Sequence, residues 1–83
     1  MDNNEIVKRP SHYTKWNLEP IVFIMQNGME FWRGNVIKYV SRAGSKKYDG
    51  QDKVQSEITD LKKAIQYCEF RINLLEGKQP NDI

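Results

Sequence analysis

The residues best suited to chemistry in this chain lie in Gly34-Asn35-Val36-Ile37-Lys38-Tyr39-Val40-Ser41-Arg42-Ala43-Gly44. Asn35, Lys38, Tyr39 and Arg42 follow one another at steps of three, one and three. On a helix that spacing lines the four side chains along one stripe, with Trp32, Val36, Val40 and Ala43 on another side. An amide, an ammonium, a phenol and a guanidinium together suit an anion, phosphate above all. Lys46 carries the basic character into the following Ser45-Lys46-Lys47 loop, where backbone N–H groups are free. Against this stands the plainer reading of a solvated helix face. Two details favour a site. Asn35 is a poor helix former, and Gly34 beside it costs a helix interior about 1 kcal/mol relative to alanine. Two unfavourable residues side by side mark a place where stability is given up for contact. The glycine implies that another helix or a ligand comes close to the backbone.

Two smaller groupings accompany the stripe. His12, Tyr13 and Trp16 precede the first helix, and with Tyr39 they are candidates for contact with a base or sugar through stacking and hydrogen bonding. Their alternative role is ordinary core packing. Glu57 and Asp60 lie near one stripe of the last helix. They either form an intersubunit ion pair, with Lys38 or Arg42 for instance, or hold Mg²⁺ through water beside a phosphate. Glu-x-x-Asp is common on exposed helices. A Walker A sequence is absent, since Gly44 and Gly50 stand in the wrong frame, and so is the dinucleotide-binding Gly-x-Gly-x-x-Gly. Any nucleotide is therefore handled without a P-loop. No catalytic residue is assigned.

Three helices must position these groups, which gives an all-α fold in a single small domain over residues 1–83. Residues 1–11 read as a mobile arm and 78–83 as a tail. The first helix starts at Glu19-Pro20, with Pro20 where its missing N–H costs nothing, and stops at Gly28. Short and apolar on nearly every side, it is expected to be buried between other elements. The second begins near Met29 or Glu30 and closes at Gly44. Asp49-Gly50 marks a turn. The third runs from Gln51 or Asp52 to Glu76, with Gly77 as terminator. Within it Val54, Ile58, Leu61, Ile65, Cys68, Ile72 and Leu75 are spaced 4-3-4-3-4-3, an a/d seam flanked by Glu57, Asp60, Lys62, Lys63 and Glu69. At about 1.5 Å per residue this helix spans close to 40 Å. Two short helices packed on it cover only part of the seam, and a homo-oligomer is expected to cover the rest.

Composition narrows the alternatives. Eighty-three residues support one small core. One cysteine and one histidine exclude an internal disulfide and a structural zinc site, leaving oligomerisation as the stabilising device. A net charge of +2 is too small for the concentrated basic field of sequence-independent nucleic-acid binding. No apolar run approaches the roughly 20 residues of a membrane span. The opening Met-Asp-Asn-Asn-Glu lacks the basic and apolar regions of a signal peptide, which predicts a cytoplasmic setting.

The motifs His12-Tyr13, Glu19-Pro20-Ile21, Asn27-Gly28, Gly34 to Gly44 and Asp60-Leu61-Lys62-Lys63-Ala64 carry a resemblance. Over about residues 11–72 the chain resembles the SaV-like family of small bacteriophage proteins, a domain of unknown function. It is also similar to a segment of a coliphage nucleotide kinase that acts on deoxynucleoside monophosphates without a P-loop. The resemblance implies phage origin, a host-cell cytoplasm and a link to nucleotides. The expected function is binding of a phosphorylated nucleotide by Asn35, Lys38, Arg42 and Lys46, as a sink for a nucleotide or nucleotide signal. The alternatives are a kinase-like phosphotransferase, with Mg²⁺ as companion, and an interaction module directed at a host protein.

Overall fold

Glu19 is the extended N-cap of the first helix, and Pro20 takes its first position. This computed structural model describes residues 15–78. They form α1 (Pro20–Gln26), α2 (Phe31–Arg42) and α3 (Lys53–Leu75), an all-helical arrangement with no strand among the described residues. The expected arm, with His12 and Tyr13, lies outside the described residues, as does the tail beyond Lys78.

Local chemistry sets the helix ends. After α1, Gly28 takes a positive φ of 59°, its N–H reaches Met25 O, and the Met29 N–H reaches Ile24 O. That is the paired bonding of a Schellman cap. The same pair closes α3, where the N–H groups of Gly77 and Lys78 reach Leu74 O and Asn73 O. At the start of α3 Asp52 and Gln55 form a capping box. The Gln55 N–H donates to Asp52 Oδ1 at 2.7 Å and the Asp52 N–H to Gln55 Oε1 at 3.2 Å.

Helix α2 packs on α3 and α1 packs on α2. The α1–α2 contact decides what Gly34 is for. A Cβ there would lie 2.8 Å from Ile24 Cγ2, so the close neighbour is a helix and not a ligand. The expected burial of α1 is not found. None of its residues is buried, and Met25 is 73% exposed.

Towards α2 and the loop that follows it, α3 presents Ser56, Asp60, Lys63, Tyr67 and Arg71, which meet Tyr48, Arg42, Tyr39 and Trp32. Ala64 is the one buried hydrophobic side chain among the described residues, in company with Arg42, Ser56 and Asp60. The hairpin therefore closes on a polar and aromatic stripe. At 3.6 residues per turn the a/d seam lies roughly a third of a turn away. It is left open, with Val54 67%, Ile65 56% and Leu75 69% exposed. Cys68, within the seam, is a half-buried free thiol. No described helix is long and apolar enough to cross a membrane.

Candidate functional site

Arg42, the last residue of α2, turns inward to α3. Its Nη2 donates to Asp60 Oδ1 at 3.0 Å and to the Tyr48 hydroxyl at 2.6 Å, while Nε reaches Asp60 Oδ2 at 3.4 Å. The Tyr48 hydroxyl donates in turn to Asp60 Oδ1 at 2.5 Å and accepts from Lys63 Nζ at 3.2 Å. The Arg42 and Asp60 side chains are 6% and 0% exposed. Such a pair survives burial because its hydrogen bonds offset the loss of water. Burial opposes the Arg42 charge, but the hydrogen bond and field of Asp60 outweigh it and raise the guanidinium pKa. Burial also raises the Tyr48 phenol. Asp60 adds to that shift, and Lys63 and Arg42 oppose it without cancelling it.

The loop from Ala43 to Asp52 delivers Tyr48 to this network. The Tyr48 N–H donates to the buried Ser56 hydroxyl at 2.9 Å, and the Gln51 N–H closes a turn onto Tyr48 O. Thr59 holds the Gln51 side chain at 2.9 Å. At the other flank Trp16 Nε1 donates to Ser41 O, one of the last carbonyls of α2, and Lys15 Nζ reaches the Ser45 hydroxyl.

Three ammonium groups surround the two tyrosine rings above the ion pair. Lys38 Nζ lies 5.1 Å from the Tyr39 centroid. Lys63 Nζ lies 5.3 Å from Tyr39 and 4.7 Å from Tyr48. Lys46 Nζ lies 4.8 Å from Tyr48. The order is Lys38, Tyr39, Lys63, Tyr48, Lys46, with cations and rings alternating along a row. The π faces attract the cations and hold them near one another. None of the three lysines has an ion-pairing carboxylate among the described residues. Asp60 is already neutralised by Arg42, so the row keeps a net positive charge.

The expected site residues separate in this geometry. Lys38, Tyr39, Arg42 and Lys46 come together, Arg42 as an internal brace and the two lysines at the surface. Asn35, one turn earlier on α2, donates through Nδ2 to Phe31 O at 2.8 Å. Tyr39 stacks on Tyr67, with centroids 6.0 Å apart and rings 15° from parallel. Glu57 lies beside Gly44, its Oε1 3.4 Å from where a glycine Cβ would stand, whereas Asp60 is enclosed with both oxygens engaged. The two carboxylates expected to share Mg²⁺ are thus unlike in access. Among the described residues no group of three or more His, Cys, Asp and Glu converges for a metal.

Two central members were not picked out from sequence. Tyr48 sits in a polar loop with no periodicity to flag it. Lys63 reads in the sequence as a flank of the seam, although Ser56, Asp60, Lys63 and Tyr67 at steps of four, three and four make a second stripe that matches the first.

A small helical hairpin closed by a buried ion pair and bearing a row of lysines and tyrosines is the class of protein these features define. The chain belongs to the family described as a protein of unknown function (DUF3310), whose model matches residues 7–69. That span holds the whole Arg42, Tyr48, Asp60 and Lys63 network and stops short of Ile72 and Leu75 in the seam. No curated protein and no solved structure matches the chain.

Proposed function

We propose that the chain is a small phage accessory protein that binds a phosphorylated nucleotide along the row of Lys38, Lys63 and Lys46. The observation that carries this reading is the gathering of three unpaired ammonium groups around two tyrosines. Lysine is a fitting point-charge partner for phosphate. The resemblance to a phage family and to a nucleotide kinase segment supports a nucleotide as the source of that phosphate. In this reading the protein acts in the host cytoplasm as a sink for a nucleotide or nucleotide signal. Any Mg²⁺ arrives with the phosphates, since Asp60 is engaged by Arg42 and Tyr48.

Binding is favoured over phosphoryl transfer because Asp60, fully enclosed and bonded to Arg42 and Tyr48, is out of a ligand's reach as a base. A thermal-shift series with mono-, di-, tri- and cyclic nucleotides tests the proposal, and stabilisation by at least one is expected. No stabilisation at millimolar concentration rules it out. Product formed from ATP and a deoxynucleoside monophosphate would move the reading to the kinase-like alternative.

A second reading concerns partners. The open seam of α3 supports assembly, with a second copy of this chain as its occupant. A heptad seam presents matching apolar positions to an identical helix, and those positions are exposed in the single chain. A monomer that captures a host protein through the same seam would favour the interaction-module alternative.

A further inference from the structure

We infer that this surface recognises its ligand by the phosphate chain and not by the base. The ligand class is a molecule with two or three consecutive phosphates, accepted with little regard to the base attached. The inference deepens the proposed nucleotide binding and rests on it.

Charge is the first ground. A phosphate monoester carries about −1.5 to −2 at pH 7. The row presents three ammonium groups without carboxylate partners, and Arg42 with Asp60 adds nothing to the balance. One phosphate leaves positive charge unbalanced, whereas two or three match it.

Shape is the second. Lys63 stands beside both rings, with Lys38 beside Tyr39 and Lys46 beside Tyr48, so the three cations are distributed over two rings. Lys38 and Lys63 are separated by no more than their summed distances to the Tyr39 centroid, and Lys63 and Lys46 by no more than theirs to Tyr48. A chain of phosphates offers anionic groups to the cations of both rings at once.

The aromatic rings are the third ground. A base needs an open π face on which to stack. Tyr39 already carries Lys38, Arg42 and Lys63 and is stacked on Tyr67. Tyr48 carries Arg42, Lys46 and Lys63. The Trp16 ring is taken by Lys15, with its indole N–H bound to Ser41 O. The rings at the site are therefore already in contact with cations, which compete with a base for their faces.

Isothermal titration calorimetry on the full chain tests this with inorganic phosphate, pyrophosphate, tripolyphosphate and the mono-, di- and triphosphates of adenosine and thymidine. The triphosphates are expected to bind at least tenfold more tightly than the monophosphates. Adenosine and thymidine forms should agree within threefold, and tripolyphosphate should bind as well as either triphosphate. The double variant Lys38→Met/Lys46→Met should flatten the dependence on phosphate number, while Lys62→Met, a charge loss away from the row, should not. Nucleotides that bind with a tenfold preference for one base, or monophosphates that bind as tightly as triphosphates, would overturn the inference and leave nucleotide binding standing. Absence of binding by every probe would overturn both.

Discussion

Arg42 and Asp60, eighteen residues apart, form a buried ion pair that joins the last turn of α2 to the N-terminal half of α3. With Ala64 as the one buried hydrophobic side chain among the described residues, this pair and the Tyr48 hydroxyl form the inside of the hairpin. Removing one member leaves the other charged, enclosed and unpaired. Asp60→Asn and Arg42→Met are each expected to destabilise by about 3–5 kcal/mol. The double variant Arg42→Met/Asp60→Leu should lose less than the sum of its parts. Urea unfolding followed by circular dichroism measures all three, and strict additivity would show that the pair is not coupled.

Gly34→Ala reverses a familiar expectation. On helix propensity alone the change should stabilise by about 1 kcal/mol. Here the new methyl would lie 2.8 Å from Ile24 Cγ2, a branch fixed to Cβ that cannot swing aside. A net loss of about 1–3 kcal/mol is expected from overpacking. Ile24→Ala should remove most of that penalty in the double variant, which a thermal unfolding cycle would show.

Tyr48→Phe removes the hydroxyl that donates to Asp60 and accepts from Arg42 and Lys63. Leaving those groups short of a partner costs about 1–3 kcal/mol near neutral pH. A pH dependence follows from the raised phenol pKa. The folded state favours the neutral phenol, so this contribution is complete below the ordinary tyrosine value of 10.0 and is lost as pH rises through the higher folded value. Unfolding free energies measured from pH 8 upward should fall more steeply for the wild type than for Tyr48→Phe. Parallel curves would contradict the assignment.

How far the sequence discloses this architecture depends on the range of the interactions involved. Helix ends were legible because Pro20, Gly28, Asp52 and Gly77 act within a few residues of themselves. The boundaries of α2 were wider in expectation, Met29 or Glu30 to Gly44, because neither end has a side-chain cap to mark it. The stripe of Lys38, Tyr39 and Arg42 was legible as a stripe, but periodicity does not say which side of a helix faces inward. The polar side does so here, since Arg42 finds Asp60. Tyr48 was out of reach because its partners lie six, twelve and fifteen residues away. Gly34 was flagged by its cost, and only the position of Ile24 chose helix over ligand.

Lys46→Met separates binding from folding. Its ammonium rests over the Tyr48 ring and forms no ion pair among the described residues, so stability should change by no more than about 0.5 kcal/mol. Affinity for a nucleoside triphosphate should fall several-fold, and the fall should shrink as salt rises, because these charges are reachable by counterions. Calorimetry at low and high ionic strength checks this. Equal affinity for both proteins would remove Lys46 from the site.

The seam of α3 yields the prediction that bears on the whole assembly. Val54, Ile58, Leu61, Ile65, Ile72 and Leu75 are all exposed in the single chain, along one stripe of a 23-residue helix. So extended an apolar surface is rare on a stable monomer and marks an interaction face. The stripe is turned away from α2, so altering it leaves the Arg42 and Asp60 pair intact. Ile65→Asp sets a charge at the centre of the seam, where a second copy would have to bury it. Light scattering after size exclusion is expected to give an oligomer for the wild type and a monomer for Ile65→Asp. Circular dichroism should show the variant still helical, because its ion pair and caps are untouched, though it should unfold at lower temperature once the partner is lost. A wild-type chain that stays monomeric at high micromolar concentration would show that copies of itself do not cover the seam.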